Sequence, residues 1–260
     1  MLTYPQLGTG ALSQFPIRTE RRARTVVNAA VDGSSIKLAD ASGAVTEWAL
    51  TYTGLSDAEL GALEQFFASA QGTLNGFTFL DPAANLLAWS GALSQAAWAL
   101  GPQLSVAGGI ADPAGGSGAW RLTNAGAAPQ AISQTLPAPG GYTYCLSAYV
   151  CAQAATTGTM LVGSSQTSRA VQTQWSRIVF VGTGDASASE ICFGLEIPAG
   201  AQVDVFGMQA EPQAGASVYM ASTTGGVYQN ARLRDDQLAV TTTGVNRHSC
   251  TVNILYANHL

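Results

Sequence analysis

The sequence predicts a mainly β protein in which an α+β domain is split by an inserted β-sandwich of jelly-roll type. Three observations lead to this prediction. A strand, a capped helix and a second strand follow one another between Trp48 and Pro82. From about residue 86 to 220, short β-prone stretches alternate with Gly/Pro/Ser-rich turns, and no helix longer than a turn or two is indicated. Two further strands follow Gly225 and Gly226.

The N-terminal stretch from 15 to 53 is β-prone and carries two turn signals. The signals are the tripeptides Asp32-Gly33-Ser34 and Ala41-Ser42-Gly43. Such residues favour tight turns between strands. We therefore expect several antiparallel strands in this region.

A helix is predicted from about 57 to 70. Ser56 is a good N-cap, and Glu59 three residues later completes a capping box. Four apolar residues recur at helical spacing and form one stripe: Leu60, Leu63, Phe67 and Ala70. Gly72 offers the backbone a left-handed exit, so the helix should end just before it.

The next strand is predicted near 76–81, because Phe77 and Phe79 alternate and Pro82 ends the ladder. The sandwich then follows with seven short strands. They are expected near 118–123, 129–136, 142–151, 158–164, 175–182, 190–197 and 202–210. This spacing is typical of a jelly-roll sandwich.

The last two strands are predicted near 236–243 and 249–256. An isolated hairpin is marginally stable in water, so this pair must pack on an existing sheet. The simplest host is the N-terminal unit. The first domain is therefore expected to comprise 1–82 plus 228–260, and the sandwich to be an insertion over 83–227.

Composition limits the function. The chain has 47% hydrophobic residues, only 10% charged residues and a formal net charge of −5, and Lys37 is its only lysine. A nucleic-acid binder that neutralises many phosphates is therefore not expected. The sequence shows neither a secretory signal nor a membrane span. A polar but uncharged surface suits repeated subunit contacts, since fewer ions are desolvated when surfaces meet.

The main basic run consists of Arg18, Arg21, Arg22 and Arg24. It is either a solvated strand edge whose arginines pair with local acidic groups, or part of an interface between subunits.

The four cysteines are Cys145, Cys151, Cys192 and Cys250, and no CxxC pair occurs, so a zinc site is not expected. Six strand residues put Cys145 and Cys151 about 20 Å apart, too far for a disulfide. A Cys145–Cys192 disulfide stays open. Small buried thiols in a reducing cytoplasm are the favoured interpretation.

Several segments carry a family likeness. YPQLGTGALSQFPIRTERRARTVVNAAVDGSS, then W-x-L-x-Y, L-S-D-x-E and F-F-x-x-x-Q-G followed by F-T-F-x-D-P, resemble the first domain of distal tail proteins and related minor tail proteins of long-tailed bacteriophages and gene-transfer agents. TTTGVNRHSCTVNILY resembles the returning strands of that split domain. Residues 85–220 look like the carbohydrate-binding-module-like domains of phage tail proteins, through Asn85-Leu86-Leu87, Trp175-Ser176-Arg177 and FGMQAEPQAGASVYMAST.

The resemblance implies a structural tail-tip protein and not an enzyme. Six copies would form a ring that joins the tail tube protein to the tail-tip hub protein, with the inserted domain pointing outward. The protein would be assembled in the host cytoplasm and reside in the virion tail. An acidic, lysine-poor ring would not hold DNA that moves through its lumen. A glycan-binding adhesin is the alternative, and a tail-associated glycosidase a more remote one.

Candidates for chemistry are few. His248 and His259, the only histidines, lie in no nucleophile motif; His248 is expected to flank a hairpin and His259 to lie on a loose tail. Glu190, Glu196 and Glu211 could form a glycosidase pair, although surface carboxylates are the favoured interpretation. No cofactor is expected. Asp112 and Asp185 could supply oxygen ligands to a structural calcium ion, but acidic groups are too few to favour it.

Glycan binding usually rests on exposed aromatic faces beside polar groups, because the C–H face of a sugar packs on an aromatic plane. Alternation puts Tyr142 and Tyr144 on the opposite face of their strand from Tyr149. The candidate glycan-binding residues are Trp98 and Trp120, which lie near Gly-rich loops, and Tyr149. For the two tryptophans core packing is the favoured interpretation.

Overall fold

The computed structural model describes residues 2–257, and these form two compact units. Unit 1 comprises residues 2–7, 13–79 and 228–257, and unit 2 comprises residues 8–12 and 80–227. His259 lies outside the described residues. The elements in chain order are β1 (Ile17–Ala29), β2 (Ser35–Leu55), α1 (Asp57–Ala70), β3 (Phe77–Leu80), β4 (Ala99–Leu100), β5 (Leu104–Ile110), β6 (Ala119–Asn124), β7 (Gln130–Leu136), β8 (Tyr144–Cys151), β9 (Thr156–Val162), β10 (Ser165–Val171), β11 (Ser176–Gly182), β12 (Ile191–Ile197), β13 (Gln202–Glu211), β14 (Val227–Leu233), β15 (Val240–Gly244) and β16 (Arg247–Ala257). The chain is thus mainly β, as predicted.

Unit 1 is a sheet with one helix on it. The strand order is β1-β2-β16-β14-β3, and β15 pairs with β16. The C-terminal strand β16 runs antiparallel to β2, with Ile254 opposite Trp48, so the predicted pairing with the N-terminal strands is confirmed. One face of the sheet is buried with the helix, and its large side chains include Trp48, Leu50, Tyr52, Phe79 and Ile254.

The ends of α1 follow from local chemistry. The Glu59 N–H donates to Ser56 Oγ at 3.3 Å and the Ser56 N–H donates to the Glu59 carboxylate at 3.0 Å, which confirms the capping box. The helix ends at Ala70, and Gln71 already has a left-handed conformation with φ of 54°. The left-handed exit therefore starts one residue before Gly72, which continues it with φ of 61°.

The apolar stripe of α1 differs from the prediction at one position. Phe66 is buried, whereas Phe67 is only half-buried. The Phe66 ring packs edge-on against Tyr4 at 5.1 Å and against Phe77 at 4.8 Å between centroids. The predicted core role of Phe67 is therefore wrong, because Phe66, the preceding residue, is the one that faces Tyr4 and Phe77.

β1 and β2 form one long hairpin instead of several strands. The predicted turn at 32–34 is present, and the Ser34 N–H donates to Asp32 Oδ1 at 2.9 Å. The predicted turn at 41–43 is wrong, because these residues lie within β2. The register there jumps from Arg22 opposite Val45 to Arg24 opposite Asp40, so the Ser-Gly signal produces a bulge in the strand.

Unit 2 is a sandwich of two antiparallel five-stranded sheets. Sheet A has the order β10-β9-β12-β7-β4, and sheet B has the order β11-β8-β13-β6-β5. All seven predicted sandwich strands are present within about two residues of their predicted ends, and no helix occurs in this unit. The strands missed were β4, β5 and β10, all at sheet edges. Edge strands need no apolar alternation, and β5 also contains two glycines.

Near the C-terminus the strand β14 was missed, and β15 and β16 start at 240 and 247 instead of near 236 and 249. His248 lies at the start of β16, where its Nε2 is 2.6 Å from Asp57 Oδ1 and its Nδ1 is 3.0 Å from Thr242 Oγ1. It thus joins the β15–β16 hairpin to the first turn of α1. Within residues 2–257, no helix has the length and apolar character needed to span a membrane.

The entry and exit of the insertion are hydrogen-bonded within unit 2. The Asp81 N–H donates to the Gly226 carbonyl at 2.8 Å. The Asn85 side chain donates to the Met208 carbonyl at 2.9 Å and accepts from the Ala210 N–H at 3.1 Å. Because Asn85 is buried, these bonds satisfy polar groups that would otherwise be costly. They hold the first residues of the insertion against its last strand.

Candidate functional site

The outward face of sheet B is the candidate site. Along β8 the side chains alternate: those of Tyr144, Leu146, Ala148 and Val150 point into the core, and those of Cys145, Ser147, Tyr149 and Cys151 lie on the other face. On that face Cys145 and Ser147 are also buried, and only Tyr149 and Cys151 are partly exposed. Tyr149 is half-buried, whereas Tyr144 is fully buried. The predicted opposition of these two tyrosines is therefore confirmed, and Tyr149 is the one on the outside.

Three rings form an aromatic row on this face: Tyr149, Phe206 and Tyr219. Phe206 lies opposite Tyr149 across the β8–β13 ladder, and their centroids are 6.2 Å apart. Tyr219 packs edge-on against Phe206 at 5.4 Å. The pairing of β8 with β13 is irregular just after Phe206, where Gly207 has φ of 65°. A side chain at Gly207 would meet the Tyr219 ring at 3.0 Å, so glycine is needed for the row to close.

Two arginines flank the row. Arg177 lies opposite Tyr149 on β11; its guanidinium carbon is 5.4 Å from the Tyr149 ring centroid, and its Nη2 donates to Ser147 Oγ at 2.9 Å. This is a cation–π contact whose geometry is fixed by a hydroxyl. Arg121 lies opposite Asp204, and its Nε and Nη2 donate to the two carboxylate oxygens at 2.7 and 2.9 Å. The carboxylate raises the pKa of Arg121 further above its ordinary value.

A loop borders the row on one side. The Asp112 carboxylate accepts the N–H groups of Ala114, Gly116 and Gly118 at 2.8 to 3.0 Å, and these bonds lower the pKa of Asp112. A Cβ at Gly118 would lie 3.4 Å from the Phe206 ring, so the loop packs close to the row. Both carboxylate oxygens of Asp112 are used in organising the loop.

The segment 217–220 crosses sheet B and brings Tyr219 to the row. The Gln209 side chain accepts the Met220 N–H at 2.8 Å and donates to Ser217 Oγ at 3.1 Å. The Glu211 carboxylate accepts the Ser217 N–H at 3.1 Å. Two buried polar residues of β13 thus fix a loop that carries an aromatic ring.

The structure brings only one of the three predicted glycan-binding residues to this face. Trp98 is 5% exposed and its indole N–H donates to the Trp89 carbonyl at 3.1 Å, so it is a core residue, which was the favoured interpretation, and it offers no exposed face to a glycan. Trp120 is half-buried; its indole N–H donates to the Gly91 carbonyl at 3.0 Å, and its position opposite Val205 puts it on the inward side of β6. Tyr149 lies in the aromatic row.

Sequence reasoning missed the other members of the site: Arg121, Arg177, Asp204, Phe206 and Tyr219. Trp175-Ser176-Arg177 was singled out only as a motif of the family likeness. These residues come together through the pairing register of neighbouring strands, and the register cannot be read from the sequence.

The arginine run of β1 has local partners. Arg18 pairs with Glu20, and Arg24 lies 3.4 Å from Asp40. Glu47, which is buried, pairs with Arg22 and also lies 3.0 Å from Arg234. Arg18, Arg22 and Arg24 keep 60 to 77% of their side-chain surface exposed, and Arg21 is exposed as well. The run is therefore a solvated strand edge with ion pairs; nothing in the structure tests a role between subunits.

The outer part of the β1–β2 hairpin exposes apolar side chains. Within residues 2–257, only residues 45–55 of β2 pair with β16, so the outer part of the hairpin is described as a two-stranded ribbon. Opposite pairing puts Val26 and Leu38 on one face with Ile36, and we call these three residues the hairpin patch. Ile36 is 65% and Leu38 52% exposed. Val27 on the other face is 54% exposed.

The other chemical candidates are dispersed. Glu196 points outward from sheet A and Glu211 from sheet B, so they do not form a catalytic pair. Asp185 accepts bonds from Ser187, and no cluster of three metal-ligating side chains occurs in the described part of the chain.

The cysteines form no disulfide. Cys145 and Cys192 lie on opposite sheets, which excludes a disulfide between them, and all four thiols are free. Burial, and then the Glu211 charge, raises the pKa of Cys145 to about 11.

No protein-family model and no curated protein matches this chain. Among solved structures, it is similar to a xylan-binding domain from carbohydrate-binding module family 22, with 17% identity and a TM-score of 0.41 over 52% of this chain and 99% of that one. The C-terminal family 22 module of Clostridium thermocellum Xyn10B gives 15% identity and a TM-score of 0.39, covering 52% and 94%. The enzymatically active domain of bacteriophage CBA120 tailspike protein 4 gives 12% and 0.39, covering 51% and 22%.

Proposed function

We propose that this chain is a structural subunit of a bacteriophage tail tip, a distal tail ring protein, whose inserted sandwich binds a polysaccharide of the host surface. The first part follows the resemblance of unit 1 and is supported by the hairpin patch. The second part is carried by the aromatic row. Both are parts of one function, because a ring subunit positions its lobe for contact with a cell.

The ring proposal rests on a surface that suits self-association. A two-stranded ribbon is marginally stable by itself, and its side chains Ile36 and Leu38 are mostly exposed in the single chain. Exposed apolar patches of this kind mark contact sites. The hairpin from residue 15 to 47 has five basic and four acidic side chains, whereas the rest of the chain has six basic and twelve acidic ones. A second copy is therefore an electrostatically suitable partner for the ribbon.

Electron microscopy tests the ring. Purified protein, or tails from infected cells, should show rings with six-fold symmetry that join the tail tube protein to the hub protein. A protein that stays monomeric at high concentration and is absent from purified tails would rule out this part of the proposal.

The polysaccharide proposal rests on the outward face of sheet B. Tyr149, Phe206 and Tyr219 offer a continuous apolar strip, and Arg177 and the Arg121–Asp204 pair place polar groups beside it. The Ser147 hydroxyl is buried and serves to hold Arg177. Aromatic surface next to directional donors and acceptors is the combination that holds sugar rings. No acid–base pair is placed on this face, so we propose binding without cleavage.

A binding assay with immobilised bacterial and plant polysaccharides tests whether the inserted sandwich binds a polysaccharide through this face. Tyr149→Ala should weaken retention at least tenfold, because it removes one ring of the row and the support of Arg177. Tyr256→Ala removes a half-buried tyrosine from unit 1 and serves as the matched control. Equal retention of both variants and the parent protein would refute the site.

An adhesin that does not form a ring is the second candidate. It is favoured only if the polysaccharide binding is present and the rings are absent. A glycosidase would release reducing ends from the bound polysaccharide; we expect none, because Glu196 and Glu211 point out from opposite sheets.

A further inference from the structure

Two arginines on the outward face of sheet B have different electrostatic environments. Arg121 is neutralised by Asp204 through two hydrogen bonds. Arg177 has no carboxylate within 4 Å in residues 2–257, and its charge contacts only the Tyr149 ring and the Ser147 hydroxyl. One of the two guanidiniums is thus left without a counter-charge.

The hydrogen bonding of Arg177 is also incomplete. Its Nε is buried and has no acceptor within the described chain. A buried N–H without an acceptor costs free energy, so the fold holds Arg177 in this position at a cost. Natural structures rarely leave such a group unless it has a role.

The nearby acidic residues do not supply that anion. Glu211 is close enough, like Arg177, to influence the Cys145 thiol. However, its carboxylate oxygens accept the Ser217 N–H and the Gln213 side-chain N–H. Asp204 is neutralised by Arg121. Neither carboxylate of this face forms an ion pair with Arg177, so a bound anion would be its first counter-charge.

We propose that this face binds a saccharide that carries a carboxylate, such as a hexuronic acid unit, and that Arg177 is the residue that recognises the charge. The inference rests on the proposed polysaccharide binding and names its ligand class. A planar guanidinium matches the geometry of a carboxylate. The Ser147 bond and the Tyr149 ring hold the guanidinium in place before the ligand arrives, so little side-chain order is lost on binding. Of the two arginines on this face only Arg177 lacks a carboxylate partner, so the site suits isolated carboxylates better than a run of phosphates.

The test compares each acidic oligosaccharide with its own carboxyl-reduced form. The probes are oligomers of galacturonate, of mannuronate and guluronate, and of xylose bearing glucuronate, titrated calorimetrically into the full chain at low and at physiological salt. We expect at least one acidic oligomer to bind about tenfold or more tightly than its reduced form. The preference should shrink as salt rises.

Variants assign the preference to Arg177. Arg177→Gln should abolish the preference for the acidic oligomer over its reduced form. Arg177→Lys should keep part of the preference, because lysine keeps the positive charge but lacks the planar pair of N–H donors that matches a carboxylate. The control is Arg169→Gln, which removes an exposed arginine from β10 in sheet A and should keep the preference. Thermal unfolding of each variant establishes that it is folded.

The outcomes separate the two proposals. Equal affinity for acidic and reduced forms across the probes would overturn the carboxylate inference while polysaccharide binding stands. A preference that survives in Arg177→Gln would overturn the assignment to this residue. If no oligomer binds, acidic or reduced, both the carboxylate inference and the proposed polysaccharide binding would be overturned.

Discussion

Replacing Ile36 and Leu38 by threonine should weaken self-association strongly while leaving the single chain folded. The two side chains lie on one face of the β1–β2 ribbon and are 65% and 52% exposed. Threonine keeps the β-propensity of the strand and removes most of the apolar surface. The change therefore acts on the contact between copies and not on the fold.

The magnitude follows from the exposed fractions. Full burial of an isoleucine or leucine side chain contributes roughly 1.5–3 kcal/mol. Burial of the exposed half to two-thirds of each side chain would contribute about 1–2 kcal/mol, and both together about 2–4 kcal/mol. A loss of that size raises the dissociation constant of a subunit contact by about 30-fold to 1000-fold. The unfolding free energy of the monomer should change by less than about 1 kcal/mol.

Sedimentation velocity over a wide concentration range measures the effect. The matched control is Leu74→Thr, since Leu74 is 62% exposed in unit 1 but lies outside the ribbon. An association constant that stays within threefold of the parent value in the double variant, or that falls equally in Leu74→Thr, would refute the role of the hairpin patch.

The remaining predictions concern stability. Phe66→Ala should lower the unfolding free energy of unit 1 by about 3–5 kcal/mol, measured by hydrogen exchange of the α1 amides. Phe67→Ala should lower it by less than about 2 kcal/mol. The reverse order would contradict the packing described for the helix. Ser56→Ala should cost about 1 kcal/mol in the same measurement, because it removes one half of the capping box, and an unchanged value would show that the cap contributes nothing. The pKa of Cys145 is about 11 in the fold and near 9 in an unfolded chain, so the unfolded chain loses its proton first. The stabilisation that this thiol contributes is complete below pH 9 and is lost as the pH rises toward 11. The unfolding free energy of Cys145→Ala, measured with urea, should therefore fall less between pH 9 and 11 than that of the parent protein. Equal falls would contradict the raised pKa.

Local signals predicted the elements whose causes are local. The capping box of α1 depends on residues three apart, and the alternation of β12 lies within seven residues. The choice between Phe66 and Phe67 was not local, because both fit a helical stripe. It is decided by Tyr4 and Phe77, which lie far away in the chain. Edge strands such as β10 escaped prediction because neither of their faces has to be apolar.

The candidate site was hardest to predict because it is assembled by register. Tyr149 meets Arg177 and Phe206 only through the pairing of β8 with β11 and β13. A shift of one residue in either ladder would turn these side chains to the opposite face. Trp98 shows the converse problem: a large aromatic residue near a Gly-rich loop looks available in the sequence, but the carbonyl of Trp89 holds its indole in the core.

The hydrogen bond between Asp81 and Gly226 has an evolutionary consequence. It closes the two ends of the insertion on each other, so residues 80–227 have the geometry of an exchangeable cassette. Recombination at these ends could replace the lobe while the host sheet keeps its own strand pairing. Residues 8–12 belong to unit 2 but precede the cassette in the chain, and an incoming lobe would have to accommodate them. Under the proposed function, such an exchange would change the surface that is recognised without redesigning the subunit that assembles.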